Sequence, residues 1–268
     1  MNGTLYRLEA RRLLRTHTLL ALVLVFGIFG AVGPLLSYFM EDFLTLADPR
    51  GELAAMDFQL PEMTAVDALG SYVELAAPVG TLVVILVATM ALTVDSGPGR
   101  AVFYRTRVSG AAEMLLPRFV LPAAAAVLAH LAGSLVAWAL ASALFEPLSP
   151  SVLIGALIGG VFPILAVAVV ALMSSLMRNA LAVVGASALA LMLLSGIGQI
   201  PALAEWVPST LMRGPALLAA GASVGDLLPA AAVGLVGTAL LLFVGGRPPP
   251  TPPSQSLVAL TTMPSWSL

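Results

Sequence analysis

Six long apolar runs, each interrupted by a shorter polar stretch, set the pattern of this chain. They lie at about 18–40, 75–94, 119–144, 152–177, 180–200 and 227–245. A helix needs ~20 apolar residues to cross the hydrocarbon of a bilayer, so each run is long enough. Lipid offers the backbone no hydrogen-bond partner, so a spanning segment must be a helix or a strand of a closed barrel. Barrel strands alternate every second residue, and these runs do not. The expected fold is an all-α polytopic membrane protein. Its six transmembrane helices form a single domain over residues 1–246.

The polar stretches differ in kind. Residues 2–17 predict a helix on which Arg7, Arg11 and Arg15 recur every four positions, with Tyr6, Ala10 and Leu13 roughly opposite. That pattern suits a helix lying in the headgroup region, and it equally suits the positive flank of a first span. A cleaved signal is disfavoured by Pro34 after the possible site at 31–33 and by the later spans. Residues 41–74 are acidic, with short apolar patches that predict one or two short helices on a solvated outer face. Residues 95–118 are basic and read as a loop with a short helix, carrying Arg100, Arg105, Arg107 and Arg118 against Asp95 and Glu113.

The fourth run contains Pro163, which predicts a kink, and a Gly155–Gly159 pair that permits close helix approach. Arg178-Asn179 is so short a turn that the fourth and fifth runs must form an antiparallel hairpin. Residues 201–226 mix Trp206 and several leucines with Pro201, Pro208, Pro215 and Gly214, which predicts interfacial or re-entrant short helices before the sixth run. The tail, 247–268, begins RPPPTPP and is expected to be an extended or disordered cytoplasmic segment.

Charge turns this pattern into a topology. The chain is 59% apolar and only 10% charged, with a net charge of −2. With six crossings, the N-terminus, 95–118, Arg178 and Arg247 share one side, which sums to +7, and the other side sums to −9. Each connection on the first side is net positive and each on the second net negative. The positive-inside rule therefore predicts two cytoplasmic termini in a cell (inner or plasma) membrane.

Several chemistries lack their residues. All twelve basic residues are arginine, so no Walker A lysine exists to hold a nucleotide phosphate. There is no HExxH, and no cysteine for thiolate ligation. His17 and His130 sit at different depths, which disfavours a shared haem. His130 is expected to be a hydrogen-bonded packing residue between helices. No acid lies in the middle of a run, which counts against an ion-coupled carrier.

Taken in order, several stretches resemble the permease subunits of type-2 ATP-binding-cassette (ABC) transporters. They are Leu5-Tyr6-Arg7-Leu8-Glu9-Ala10-Arg11-Arg12, Ala91-Leu92-Thr93-Val94-Asp95 with Gly97-Pro98-Gly99-Arg100, Thr106-Arg107-Val108-Ser109-Gly110 with Leu115-Leu116-Pro117-Arg118, Leu194-Ser195-Gly196, and 201–221. The resemblance covers about residues 3–246. It departs from the family at Asp95, where a glutamate is usual, at Pro98-Gly99, where a Gly-Thr pair is common, and in the long acidic loop.

The resemblance implies an N-terminal interfacial helix, a cytoplasmic coupling helix between spans two and three, and re-entrant outer helices before span six. It implies a dimer with a second copy or a related permease, driven by separate ABC-type ATPase subunits that hold the ATP and magnesium. This chain would then be no enzyme, bind no cofactor or metal of its own, and have no nucleic-acid partner. Export of a lipid, glycan, peptide or drug-like molecule is the family's common activity. Asp95, Arg100, Arg105, Arg107 and Glu113 are the residues expected to couple to the ATPase. The same arginines could instead set topology and hold anionic headgroups. An ion-coupled secondary carrier and a non-transporting membrane anchor are the alternative functions.

Overall fold

The computed structural model describes residues 3–47, 62–93, 111–177 and 179–246. All regular structure among them is helical, and six helices are long and apolar enough to cross a membrane. The chain is a multi-pass membrane protein.

Helix α1 (Gly3–Arg15) is separated from α2 (Thr18–Tyr38) by a two-residue break at Thr16 and His17. His17 has φ 54°, in the left-handed region, which ends one helix and starts the next in a new direction. Helix α3 (Met40–Ala47) supplies one short helix in the acidic region. Helix α4 (Ala65–Leu92) begins on a reciprocal cap, in which Thr64 accepts from the Asp67 N–H and Asp67 accepts from the Thr64 N–H. Its 28 residues are about 42 Å long, more than the ~30 Å of hydrocarbon. The second apolar run therefore lies inside a longer helix, and exposed Glu74 sits in the N-terminal half of α4 rather than before it.

Helix α5 (Ala111–Leu144) has 34 residues. Residues 111–118, expected within the loop between spans two and three, are instead its first turns. Pro117 and Pro122 lie inside the helix, past its first turn, and each removes one intrahelical N–H donor. The fourth span is two helices, α6 (Val152–Gly159) and α7 (Val161–Leu176), broken at Gly160. The break falls upstream of Pro163, because a proline disrupts the turn that precedes it. Helix α8 (Ala180–Ile197) starts at Asn179, whose side chain accepts from the Leu181 N–H at 2.9 Å.

Residues 201–206 form turns, followed by a 3-10 turn (Pro208–Arg213), α9 (Gly214–Ala219) and α10 (Val224–Gly245). Leu211 and Met212 are buried, so this non-spanning segment is covered by protein rather than free in solution.

Close backbone approach holds the bundle together. Helix α2 packs chiefly on α5 and α4, and α10 chiefly on α7. A Cβ on Gly133 of α5 would lie 2.6 Å from the Phe26 carbonyl oxygen of α2, and one on Gly30 would collide with the Gly133 carbonyl. The Gly155–Gly159 pair is also used, though not against a long helix. A Cβ on Gly155 would meet Gly214 backbone at 2.5 Å, and one on Gly159 would meet the Leu211 carbonyl oxygen at 2.8 Å. The pair seats the 208–219 segment on the fourth span. Helix α8, by contrast, buries only Val183, Ser187 and Leu191 and presents most of its apolar surface outward.

Candidate functional site

Two polar regions interrupt the apolar bundle. The first lies where α1, the end of α4 and the start of α5 meet. Tyr6, Ala10 and Leu13 of α1 are partly buried, while Arg7, Arg11 and Arg15 are exposed on its other face, as the sequence pattern predicts. Glu9 and Arg12 turn toward the bundle. Glu9 Oε1 is 3.7 Å from Arg118 Nε, and Glu9 Oε2 is 3.6 Å from Arg12 Nη1. Arg12 Nη2 donates to the Met90 carbonyl at 3.4 Å. Thus α1 touches both flanks of the segment between spans two and three: Met90 just before it and Arg118 just after it.

Arg118 is 6% exposed and Glu9 16%. A guanidinium buried to that degree needs compensation, and the carboxylate on α1 supplies part of it. The contacts are longer than the 2.7–2.9 Å typical of a direct charge-assisted hydrogen bond. Among the contacts described, the Glu9 carboxylate stands between the Arg12 and Arg118 guanidiniums. A half-open cleft of about 40 Å3 lies beside it, bounded by Arg12, Arg118, Thr16, Thr18 and Met90.

The second region lies mid-bundle. Tyr72, His130 and Ser134 are all buried. The Tyr72 hydroxyl lies 3.4 Å from both the His130 carbonyl and Ser134 Oγ. The His130 ring stands edge-on to Phe26 with centroids 6.2 Å apart, and it abuts Gly159, where a Cβ would come within 2.9 Å of Nε2. The ring is wedged between helices, as expected, but neither ring nitrogen closes a well-formed hydrogen bond. The indole N–H of Trp138 on the same helix is also unpartnered.

Of the residues expected to couple to an ATPase, Asp95, Arg100, Arg105 and Arg107 lie outside the described residues. Glu113 falls on the first turn of α5, where only the backbone is described. The junction that the structure brings together uses Glu9, Arg12 and Arg118 instead. Glu9 and Arg12 are three apart on one helix, a visible pairing signal. Arg118 carried a weaker one: a lone arginine directly before a long apolar run.

Among the described residues no group of three or more His, Asp or Glu side chains could hold a metal ion. No family model matches the chain, and no curated protein or solved structure matches it significantly.

Proposed function

We propose that the chain is the membrane-spanning permease subunit of an ATP-driven exporter of the type-2 ABC class. Its termini would be cytoplasmic, in the cell membrane. It would pair with a second copy or a related permease and with separate ATPase subunits that bind ATP and magnesium. The observation that carries the reading is the junction of α1 with both flanks of the 94–110 segment. A partner that displaces that segment would pull on Met90 and Arg118. The pull would pass to α1 through Arg12 and Glu9, and to the spans through α4 and α5. Six crossings, a basic connection between spans two and three, and a protein-covered segment before the sixth span support the same architecture.

In this reading ATP closure of the partner moves the 95–118 connection, and the bundle alternates between inward-open and outward-open states. A partner can bias that equilibrium only through contacts that differ between the two states. Asp95, Arg100, Arg105, Arg107 and Glu113 are the residues proposed to make them. Helix α1 would lie at the headgroup level, and residues 201–221 would re-enter the outer leaflet.

The test is purification of the tagged chain from its native membrane in mild detergent, with mass spectrometry of what comes with it. A stoichiometric ABC-type ATPase is the expected result. Recovery of the chain alone, in a detergent that preserves a control transporter complex, overturns the reading in favour of an ion-coupled carrier. With the ATPase in hand, Arg105→Gln/Arg107→Gln should leave ATP hydrolysis running while transport falls. Unchanged coupling in a correctly inserted double variant removes those residues from the mechanism.

A further inference from the structure

We propose that the break at Thr16 and His17 is a hinge with two settings. In one, the setting of this structure, α1 is bent onto α4 and α5. In the other, α1 is released and joins α2 in one continuous helix from Gly3 to Tyr38. The inference concerns this chain alone, and it stands whether or not the chain is a transporter.

Nothing in the local sequence demands a break. From Thr4 to Phe26 there is no glycine and no proline, and the leucines and arginines around the junction favour helix. The bend rests on one residue. His17 takes the left-handed conformation, at φ 54° and ψ 15°, which costs energy for any residue that carries a Cβ. A helix that stops in this conformation usually has glycine at that position. The His17 side chain is exposed, so burial does not hold it there.

The bend also leaves backbone groups unpaired. Helix α2 begins with no side-chain cap, so the N–H groups of its first turn lack intrahelical acceptors. In a continuous helix Thr18, Leu19 and Leu20 would donate to the carbonyls of Leu14, Arg15 and Thr16, four positions back.

The contacts that oppose straightening are local or long. The Thr16 and Thr18 hydroxyls bond each other at 2.6 Å across the bend, a pairing that positions two apart on a helix cannot make. Tyr6, Ala10 and Leu13 keep α1 half-buried. Glu9 Oε1 stands 3.7 Å from Arg118 Nε, and Arg12 donates to the Met90 carbonyl at 3.4 Å. Met90 and Arg118 flank the segment that joins α4 to α5. Movement of that segment loosens the dock, and the junction then straightens, swinging the ~20 Å of α1 away from the bundle.

The test is a distance between two spin labels on the full chain in lipid nanodiscs. The chain has no cysteine, so Arg7→Cys and Val32→Cys, both at exposed positions, take the only labels. In a continuous helix these sites lie about 38 Å apart along the axis, and any bend shortens that separation. The parent should give one shorter distance. Glu9→Gln/Arg12→Gln, which removes both polar anchors of α1, should add a second population near 38 Å. Arg12→Gln alone, at a side chain 41% exposed, repeats the test with the buried contacts untouched. In either background His17→Ala should enlarge the long population and His17→Gly should shrink it, because alanine favours helix and glycine favours the left-handed region. The straight-to-bent ratio should differ between those two variants by about tenfold or more. A short distance that persists in every variant means a fixed break and overturns the proposal. So does a broad spread with no peak near 38 Å, which means that α1 comes away without joining α2.

Discussion

Helix α5 carries two polar regions, one around Arg118 and one around His130, ~18 Å apart along its axis. They are built on different principles. The mid-bundle region is uncharged and closed: Tyr72, His130 and Ser134 are buried, their hydrogen bonds are long or absent, and glycines bring the surrounding helices together. The terminal region is charged and half open, with long ion-pair contacts and a cleft beside it. In the first, polar atoms are by-products of tight packing. In the second, packing is loosened around polar atoms. A group that must meet a lipid, or move with a connecting segment, belongs in the second kind of region. The mid-bundle region is better read as the clamp that holds the spans in place.

Breaking the clamp should give the largest effect. In Gly133→Leu the new Cβ would lie 2.6 Å from the Phe26 carbonyl oxygen, well inside contact distance. Neither backbone can retreat without parting α2 from α5. A loss of about 3 kcal/mol is expected, the upper range for overpacking. Reversible unfolding in mixed micelles measures it. Near-wild-type stability would mean that α2 and α5 are not held backbone to backbone, and the contrast between the two regions would fail.

The terminal region should respond less, and through coupling. Glu9→Gln withdraws the carboxylate from a nearly buried guanidinium, for an expected loss of about 1–2 kcal/mol, below that of a fully buried pair because Glu9 keeps some contact with solvent. In a double-mutant cycle with Arg118→Gln, the pair should show a coupling of about 1 kcal/mol. Additive losses would show that the two residues merely neighbour each other. The junction would then give α1 no purchase on α5.

How much of this could be read from the chain depended on the physics involved. Apolar run length specified the six spans, because hydrocarbon thickness imposes a minimum that no other element meets. The helix starts were less legible. Residues 65–74 carry two acids and look like loop, yet the Thr64–Asp67 cap lets α4 begin there, ahead of the apolar run. Residues 111–118 look like part of a basic loop but prolong α5. The Gly155–Gly159 spacing was visible, while its partner was not, since spacing on one helix says nothing about which segment will be laid against it. The Glu9–Arg118 contact joins residues more than a hundred positions apart and left no periodic trace. Asp95, Arg100, Arg105 and Arg107 fall outside the described residues, so the expected coupling site rests on sequence alone.

The mid-bundle region can be probed again by deleting its polar atoms while leaving its glycines intact. His130→Leu removes two ring nitrogens that make no well-formed hydrogen bond and replaces them with apolar volume. Stability should stay within about 1 kcal/mol of the parent, because little is lost when an unsatisfied buried group is removed.

Tyr72→Phe should cost still less, about 0.6 kcal/mol, the average worth of a side-chain hydrogen bond inside a membrane protein. Both hydroxyl contacts are 3.4 Å long, and Ser134 can turn back onto its own helix. Mixed-micelle unfolding can resolve the sign if not the decimals. A loss several times larger would mean that the hydroxyl closes a strong network with His130 and Ser134. The mid-bundle region would then be a built polar site, and the division of labour along α5 would have to be redrawn.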